Sequence, residues 1–277
     1  MKTSILRNLA LALPLAITAF SATAAMADQL DDIKARGTLV CGTLGTSQPF
    51  SFEDKTTRTL VGYDVDICKY VADKIGVKVE YKLLAVAARI PELQSGRVDI
   101  VAANLGWSPD RAEQIDFSHR YYTTPQKLLV RADSDIQTIE NLSDKRIGAT
   151  KGSSSERVIK ERLPDARVIG YADSPSTFLS LQQHKIDAQY ASELVLVRLV
   201  NQSPDGAPTR ILEKAVVDEP WGLGIAKGEE SLLKAVNSAL EEAEASGEAQ
   251  TLFDKWFGKD TEYKLTRSFT IGPIAAE

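Results

Sequence analysis

The sequence predicts an α/β fold built as two successive units, and three observations carry that expectation. Strand-like runs over 38–44, 77–84 and 98–102 alternate with helix-like runs over 64–75 and one ending near Gly96, which is a βαβ rhythm. The rhythm restarts with a strand at 146–150, a helix over 153–163, a strand at 167–170, a further helix and a strand at 186–190. Two extended segments, 125–131 and 220–226, are too short for helices and are bounded by Pro or Gly, so they are expected to carry the chain between the units.

The elements follow in order. Residues 1–27 read as a cleavable export signal: Lys2 and Arg7, an apolar stretch over 9–20, then Ala25-Met26-Ala27, with Ala22-Thr23-Ala24 as the weaker cleavage site. The segment holds no cysteine that could take a lipid anchor, so a periplasmic product is expected. Beyond it no apolar run reaches 18 residues, the length a membrane span needs. Residues 28–123 with 220–277 form the expected first lobe, and 124–219 the second. After the second crossing, Leu232, Leu233, Val236, Leu240 and Ala243 stripe one face of a helix over 229–245, and a last helix over 250–257 should pack back on the first lobe. The tail 259–277 has no sustained period and is expected to dock at most through Phe269 and Ile271.

Composition narrows the function. Hydrophobic residues at 43% and charged ones at 26% are ordinary for a globular chain. Without the leader, 33 basic residues fall to 31 against 38 acidic ones, a net charge of -7, which argues against nucleic acid. Cys41 sits in an apolar strand and Cys68 on the buried stripe of the next helix. Two buried thiols are at least as well supported as a bridge. No nucleophile elbow, phosphate loop, zinc helix or dinucleotide fingerprint occurs, so no enzyme, cofactor or metal is expected. His119 and His184 lack partners at metal spacing and read as surface or capping residues.

Ser108-Pro109-Asp110-Arg111 looks like an N-cap, a proline at the first helical position, an acid and an arginine. Arginine in a first turn opposes the helix dipole by about 0.3–1 kcal/mol, so either a bound anion or a pair with Asp110, Glu113 or Asp116 would account for it. Lys151-Gly152-Ser153-Ser154-Ser155-Glu156 follows a strand and opens a helix, where free N–H groups and hydroxyls suit an anion. Ser153 with Glu156 also fits a capping box, which uses only part of those donors.

These residues resemble the bacterial extracellular solute-binding proteins of polar amino-acid ABC transporters (family 3). The resemblance rests on Leu60-Val61-Gly62-Tyr63-Asp64-Val65-Asp66-Ile67, on Leu93-Gln94-Ser95-Gly96-Arg97-Val98-Asp99, and on Ser108 to Glu113 running into Ile115-Asp116-Phe117-Ser118 and Tyr121-Tyr122. Arg89-Ile90-Pro91 and the C-terminal Phe253-Asp254-Lys255-Trp256-Phe257 look most like the glutamate/aspartate-binding branch. The resemblance implies a type II periplasmic binding protein fold, a monomer whose two lobes close over one small ligand and deliver it to a membrane permease. It also implies that Arg111 clasps the ligand carboxylate, helped by Gly106 and by Ser154 of the other lobe, and that Arg89 meets a side-chain carboxylate.

Several positions depart from the family pattern. Where the family places an aspartate against the ligand ammonium, this chain has Ser192; Glu193 is adjacent, but one residue along a helix turns a side chain by about 100 degrees. The other ammonium-side positions are Asn104 and Gly106. A second arginine is replaced by Leu44, an Asn by Ala88, and the remaining lining positions match Val86 and Ser47. Trp107 and Trp221 are candidates for the wall of the cleft or for ordinary packing. The expected ligand is therefore a small polar or acidic amino acid, with a carboxylate lacking the amino group as the alternative. A dehydratase on the same scaffold is the alternative of a different class, and it needs an acid in the cleft.

Overall fold

The computed structural model describes residues 28–202 and 208–275, so the leader expected over 1–27 lies outside the described residues. Helix α1 (Gln29–Arg36) is capped by the Asp28 carboxylate and stopped by Gly37 in the left-handed region. It leads into β1 (Thr38–Thr43), a small three-stranded sheet of β2 (Thr46–Ser47), β3 (Ser51–Glu53) and β4 (Leu60–Val61), then α2 (Tyr63–Ile75) and β5 (Lys78–Leu83). A 3₁₀ turn (Val86–Ala88) runs into α3 (Arg89–Gln94), followed by β6 (Ile100–Val101), α4 (Pro109–Ala112) and β7 (Ile115–Arg131). A second 3₁₀ turn (Ile139–Leu142) precedes β8 (Arg146–Thr150), α5 (Ser154–Arg162), β9 (Arg167–Tyr171), α6 (Ser174–Gln182), β10 (Ala188–Ser192) and α7 (Glu193–Asn201). The chain closes with β11 (Thr209–Ile211), β12 (Val217–Ala226), α8 (Glu230–Ser246) and α9 (Glu248–Phe257).

The main sheet runs β5-β1-β6-β12-β7-β10-β8-β9, with β11 also on β7. Strand β1 pairs in parallel with β5 and β6 on one side, and β8 pairs in parallel with β9 and β10 on the other. These are the two α/β units read from the rhythm. The antiparallel ribbon of β7 and β12 joins them. Apolar side chains gather accordingly: Cys41, Ile67, Val71, Leu240 and Phe257 in one cluster and Leu93, Val101 and Ile115 in another on the first side, Leu128, Ile147 and Tyr190 or Leu181, Leu196 and Leu199 on the second.

Three sequence expectations change. The first crossing strand begins at Ile115 rather than at Pro125. Because β10 pairs only from Gln126 onward, Pro125 stands where one flank of β7 has no ladder neighbour, and a residue without an N–H is tolerated there. Cys41 and Cys68 form a disulfide, with Cα atoms 6.3 Å apart, instead of remaining two thiols. Their periodicity correctly places both in the core, but periodicity carries no distance, and the packing of α2 on β1 turns the two side chains toward each other. The tail is irregular as expected, yet it docks through more than Phe269 and Ile271: Arg267 pairs with Glu244, and Arg120 N–H donates to Gly272 O at 2.8 Å. Phe269 packs edge-on against Tyr122 at 5.3 Å. Among the described residues no helix is long and apolar enough to cross a membrane.

Candidate functional site

A cleft between the two units is closed down to a cavity of about 70 Å³. Its wall includes Ser47, Val86, Arg89, Asn104, Ser154 and Ser192, which is most of the set expected from sequence. Arg111 and Gly106 do not line the cavity in this conformation. Gly106 lies against the wall residue Glu219, and Arg111 donates to the carbonyl of Gly152, next in sequence to the wall residue Ser153.

The Ser108 cap forms as read: its Oγ accepts the Arg111 N–H at 3.4 Å and Pro109 occupies the first turn of α4. This short helix holds Arg111 inward, with 7% of the residue exposed. Its Nη1 donates to Gly106 O at 2.7 Å and its Nη2 to Gly152 O at 3.0 Å. Among the described residues Arg111 forms no ion pair; Asp116, one of the acids offered as its partner, is taken by Lys227 at 2.8 Å.

Arg89 is buried more deeply, at 2% exposure, and is held by main-chain carbonyls. Nε donates to Val86 O at 2.9 Å, Nη1 to Ala103 O at 2.7 Å and to Asn104 O at 2.9 Å, and Nη2 to Gly152 O at 3.3 Å. Burial, followed by repulsion from the Arg111 guanidinium, lowers its pKa to about 9, which leaves it charged at neutral pH. Two like charges thus converge on one carbonyl, that of Gly152, with no carboxylate salt-bridged to either among the described residues.

Asn104 adopts the left-handed region (φ 51), a conformation that Asn tolerates better than most residues. Its N–H donates to Asp64 Oδ2 at 3.1 Å, and Tyr121 Oη–H donates to Asp64 Oδ1 at 2.7 Å. Asp64 is fully buried, and desolvation pushes its carboxyl up to about 6 against the pull of those two donors. Both amide atoms of Asn104 are buried without a partner, as is the Tyr190 hydroxyl across the cleft.

The opposite wall is built from hydroxyls: Thr150, Ser153, Ser154, Ser155, Ser174 and Ser192. Ser153 caps α5 by accepting the Glu156 N–H at 3.1 Å. The reciprocal arm of the expected capping box goes elsewhere, because Glu156 Oε2 accepts the Gly152 N–H at 2.7 Å and Ser153 N–H instead closes a turn on Thr150 O. Gly152 itself has φ 75, and a Cβ there would lie 2.7 Å from Ala87 Cα in the other unit. Glycine is needed both for that backbone angle and for the close approach. Ser192 ends β10 and lines the cleft, whereas the Glu193 carboxylate pairs with Lys127 at 2.6 Å and faces a separate hollow.

Glu219 was not anticipated from sequence. It lines the cavity at 6% exposure, next to Trp221, which is both core and cleft wall. A period-2 reading of β12 puts Glu219 on the same face as Trp221, and that alternation is the signal that could have found it. Trp107 is not part of the wall; its N–H donates to Pro220 O at 2.9 Å. His119 contacts Glu241 at 2.8 Å, and His184 sits exposed in a left-handed turn after α6. A larger hollow of about 390 Å³ behind the ribbon, lined by Tyr122, Leu194, Phe253 and Tyr263, contains no arginine.

Residues 39–259 match the model of the bacterial extracellular solute-binding proteins, family 3. The chain is 31% identical to an L-cystine-binding protein of Escherichia coli (strain K12), over 83% of this chain and 86% of that protein. It is similar to a solved ancestral arginine-binding protein bound to arginine, at 36% identity and TM-score 0.75, covering 80% of this chain and 99% of the other. A solved ancestral amino-acid-binding protein, described as a precursor of cyclohexadienyl dehydratase, matches at 32% identity and TM-score 0.75 over 83% and 100% of the two chains.

Proposed function

Because the chain belongs to the bacterial extracellular solute-binding proteins of family 3, we infer that it captures a small polar or acidic amino acid for an ABC transporter permease. One observation carries the ligand class: Arg89 and Arg111 are buried side by side without a carboxylate salt-bridged to them among the described residues. Glu219 acts on both guanidinium groups through space without an ion pair, and a ligand carboxylate would add the direct pair, through charge-assisted bonds worth about 1.5–3 kcal/mol each. On this reading residues 28–123 with 220–277 and residues 124–219 are the lobes, and residues 1–27 direct export. The protein acts as a monomer that closes because Ser154 and Gly152 reach the ligand side only when the lobes meet. A cationic side chain on the ligand is disfavoured by the same two arginines.

The test is thermal unfolding of refolded, ligand-free protein with L-glutamate, L-aspartate and L-glutamine, and with glutarate and succinate as amine-free acids. Ligand at about 100 times its dissociation constant adds roughly 2.7 kcal/mol, a rise of several degrees at this size. A rise with the amino acids is expected. A rise only with glutarate or succinate would replace this reading by the amine-free alternative. Glu219 also puts an acid in the cleft, which is what a dehydratase would need, and turnover of prephenate or arogenate would move the assignment to that class.

A further inference from the structure

An amino acid is a zwitterion, and the sequence pattern leaves its ammonium without an acceptor. Ser192 stands at the expected position and the Glu193 carboxylate is committed to Lys127. The cleft nevertheless contains a carboxylate. Glu219 lies on the joining strand β12, and its Oε2 accepts Gln126 Nε2–H at 2.7 Å and Trp221 Nε1–H at 2.8 Å. Gln126 is held in turn by the Ser155 hydroxyl at 3.0 Å. These bonds fix the carboxylate, and Oε1 accepts no hydrogen bond among the described residues.

Gly106 is what gives this group its place. A Cβ at 106 would lie 2.0 Å from Glu219 Oε1 and 2.2 Å from Cδ, so any side chain there would expel the carboxylate. The same residue's carbonyl holds Arg111, so the cation and the anion flank one peptide. An ammonium brings three N–H donors. The unpartnered Asn104 Oδ1 and Tyr190 Oη line the same cavity as Glu219 and offer further acceptors.

We propose that Glu219 Oε1 receives the ligand ammonium, and that position 106 is glycine to admit it. The inference rests on the amino-acid reading above and places the counter-charge on the ribbon between the lobes rather than at the start of α7. Substitution by glutamine tests it cleanly, since the amide oxygen can keep both bonds of Oε2 while an NH₂ donor replaces Oε1.

Calorimetry on the full chain, refolded free of ligand, would measure the protein amino acids and L-cystine, each beside the same molecule lacking its α-amino group. Glu219→Gln should weaken the tightest amino acid about 10- to 100-fold and leave its des-amino counterpart within about threefold. Gly106→Ala, which displaces an intact Glu219 but also carries the carbonyl that holds Arg111, should weaken the amino acid by a larger factor than its des-amino counterpart and serves if the first variant does not fold. Equal losses for both ligand types, or no loss, would overturn the inference while the amino-acid reading stands. Wild-type binding confined to the des-amino acids would overturn both.

Discussion

The two walls of the cleft are made of different chemistry. The α3–α4 side brings two guanidinium groups to the cleft, Arg89 in the wall and Arg111 outside its lining, each buried and tied to main-chain carbonyls of its own unit. The wall on the α5 side is a run of neutral hydroxyls at a helix start, whose main tie to the arginines is the carbonyl of Gly152. On the proposed function, one wall is a prebuilt charge, and the other is a set of small contacts that becomes useful on closure. Affinity should reside on the first and the response to closure on the second.

The strongest way to break this comparison is Arg111→Ala. Binding should fall by about 2–5 kcal/mol by calorimetry, because a buried carboxylate loses its charged partner, while the ligand-free protein still melts cooperatively. Unchanged affinity would remove Arg111 from the site.

The next effect concerns what supports the charged wall. Asp64 has its carboxyl raised to about 6 in the folded protein against 3.8 for the free group, so the folded state holds a proton that the unfolded state has already lost between those values. Stability therefore falls as pH rises through this window, by about 3 kcal/mol in full, and is regained on acidification. Asp64→Asn should flatten that slope in urea unfolding between pH 4 and 7. An identical slope in the variant would mean that Asp64 ionises without penalty.

The smallest effect belongs to the hydroxyl wall. Ser154→Ala should cost about 1 kcal/mol of binding, the net worth of one neutral hydrogen bond. A loss as large as that of Arg111→Ala would erase the distinction between the walls.

What could be read from the sequence follows the reach of each interaction. The expected misfit of Arg111 with a helix dipole has no counterpart, since α4 is a single turn that also has Arg111 in its last turn. The cap and the proline that set Arg111 inward were legible because they lie within four residues of it. The rhythm of the two units was legible for the same reason. Glu219 was not, since its meaning depends on Gln126, 93 residues away, and on a missing side chain at Gly106. Arg89 was expected to meet a ligand, but its cage of carbonyls comes from a 3₁₀ turn and a left-handed Asn that no periodicity announces. The pairing of Cys41 with Cys68 likewise needed the packing distance between a strand and a helix.

The carbonyl cage around Arg89 has a further consequence. Of the five N–H groups of a guanidinium, four of those on Arg89 already donate within the chain, the longest at 3.3 Å to Gly152 O. A carboxylate that takes two of them must therefore evict a main-chain oxygen, which makes capture an exchange of acceptors. Water or a neutral amide offers the guanidinium no more than the carbonyl it would displace, whereas a carboxylate adds a full opposite charge and can accept two parallel bonds. On the proposed function the protein therefore carries its own internal competitor, one that favours charged solutes over neutral ones.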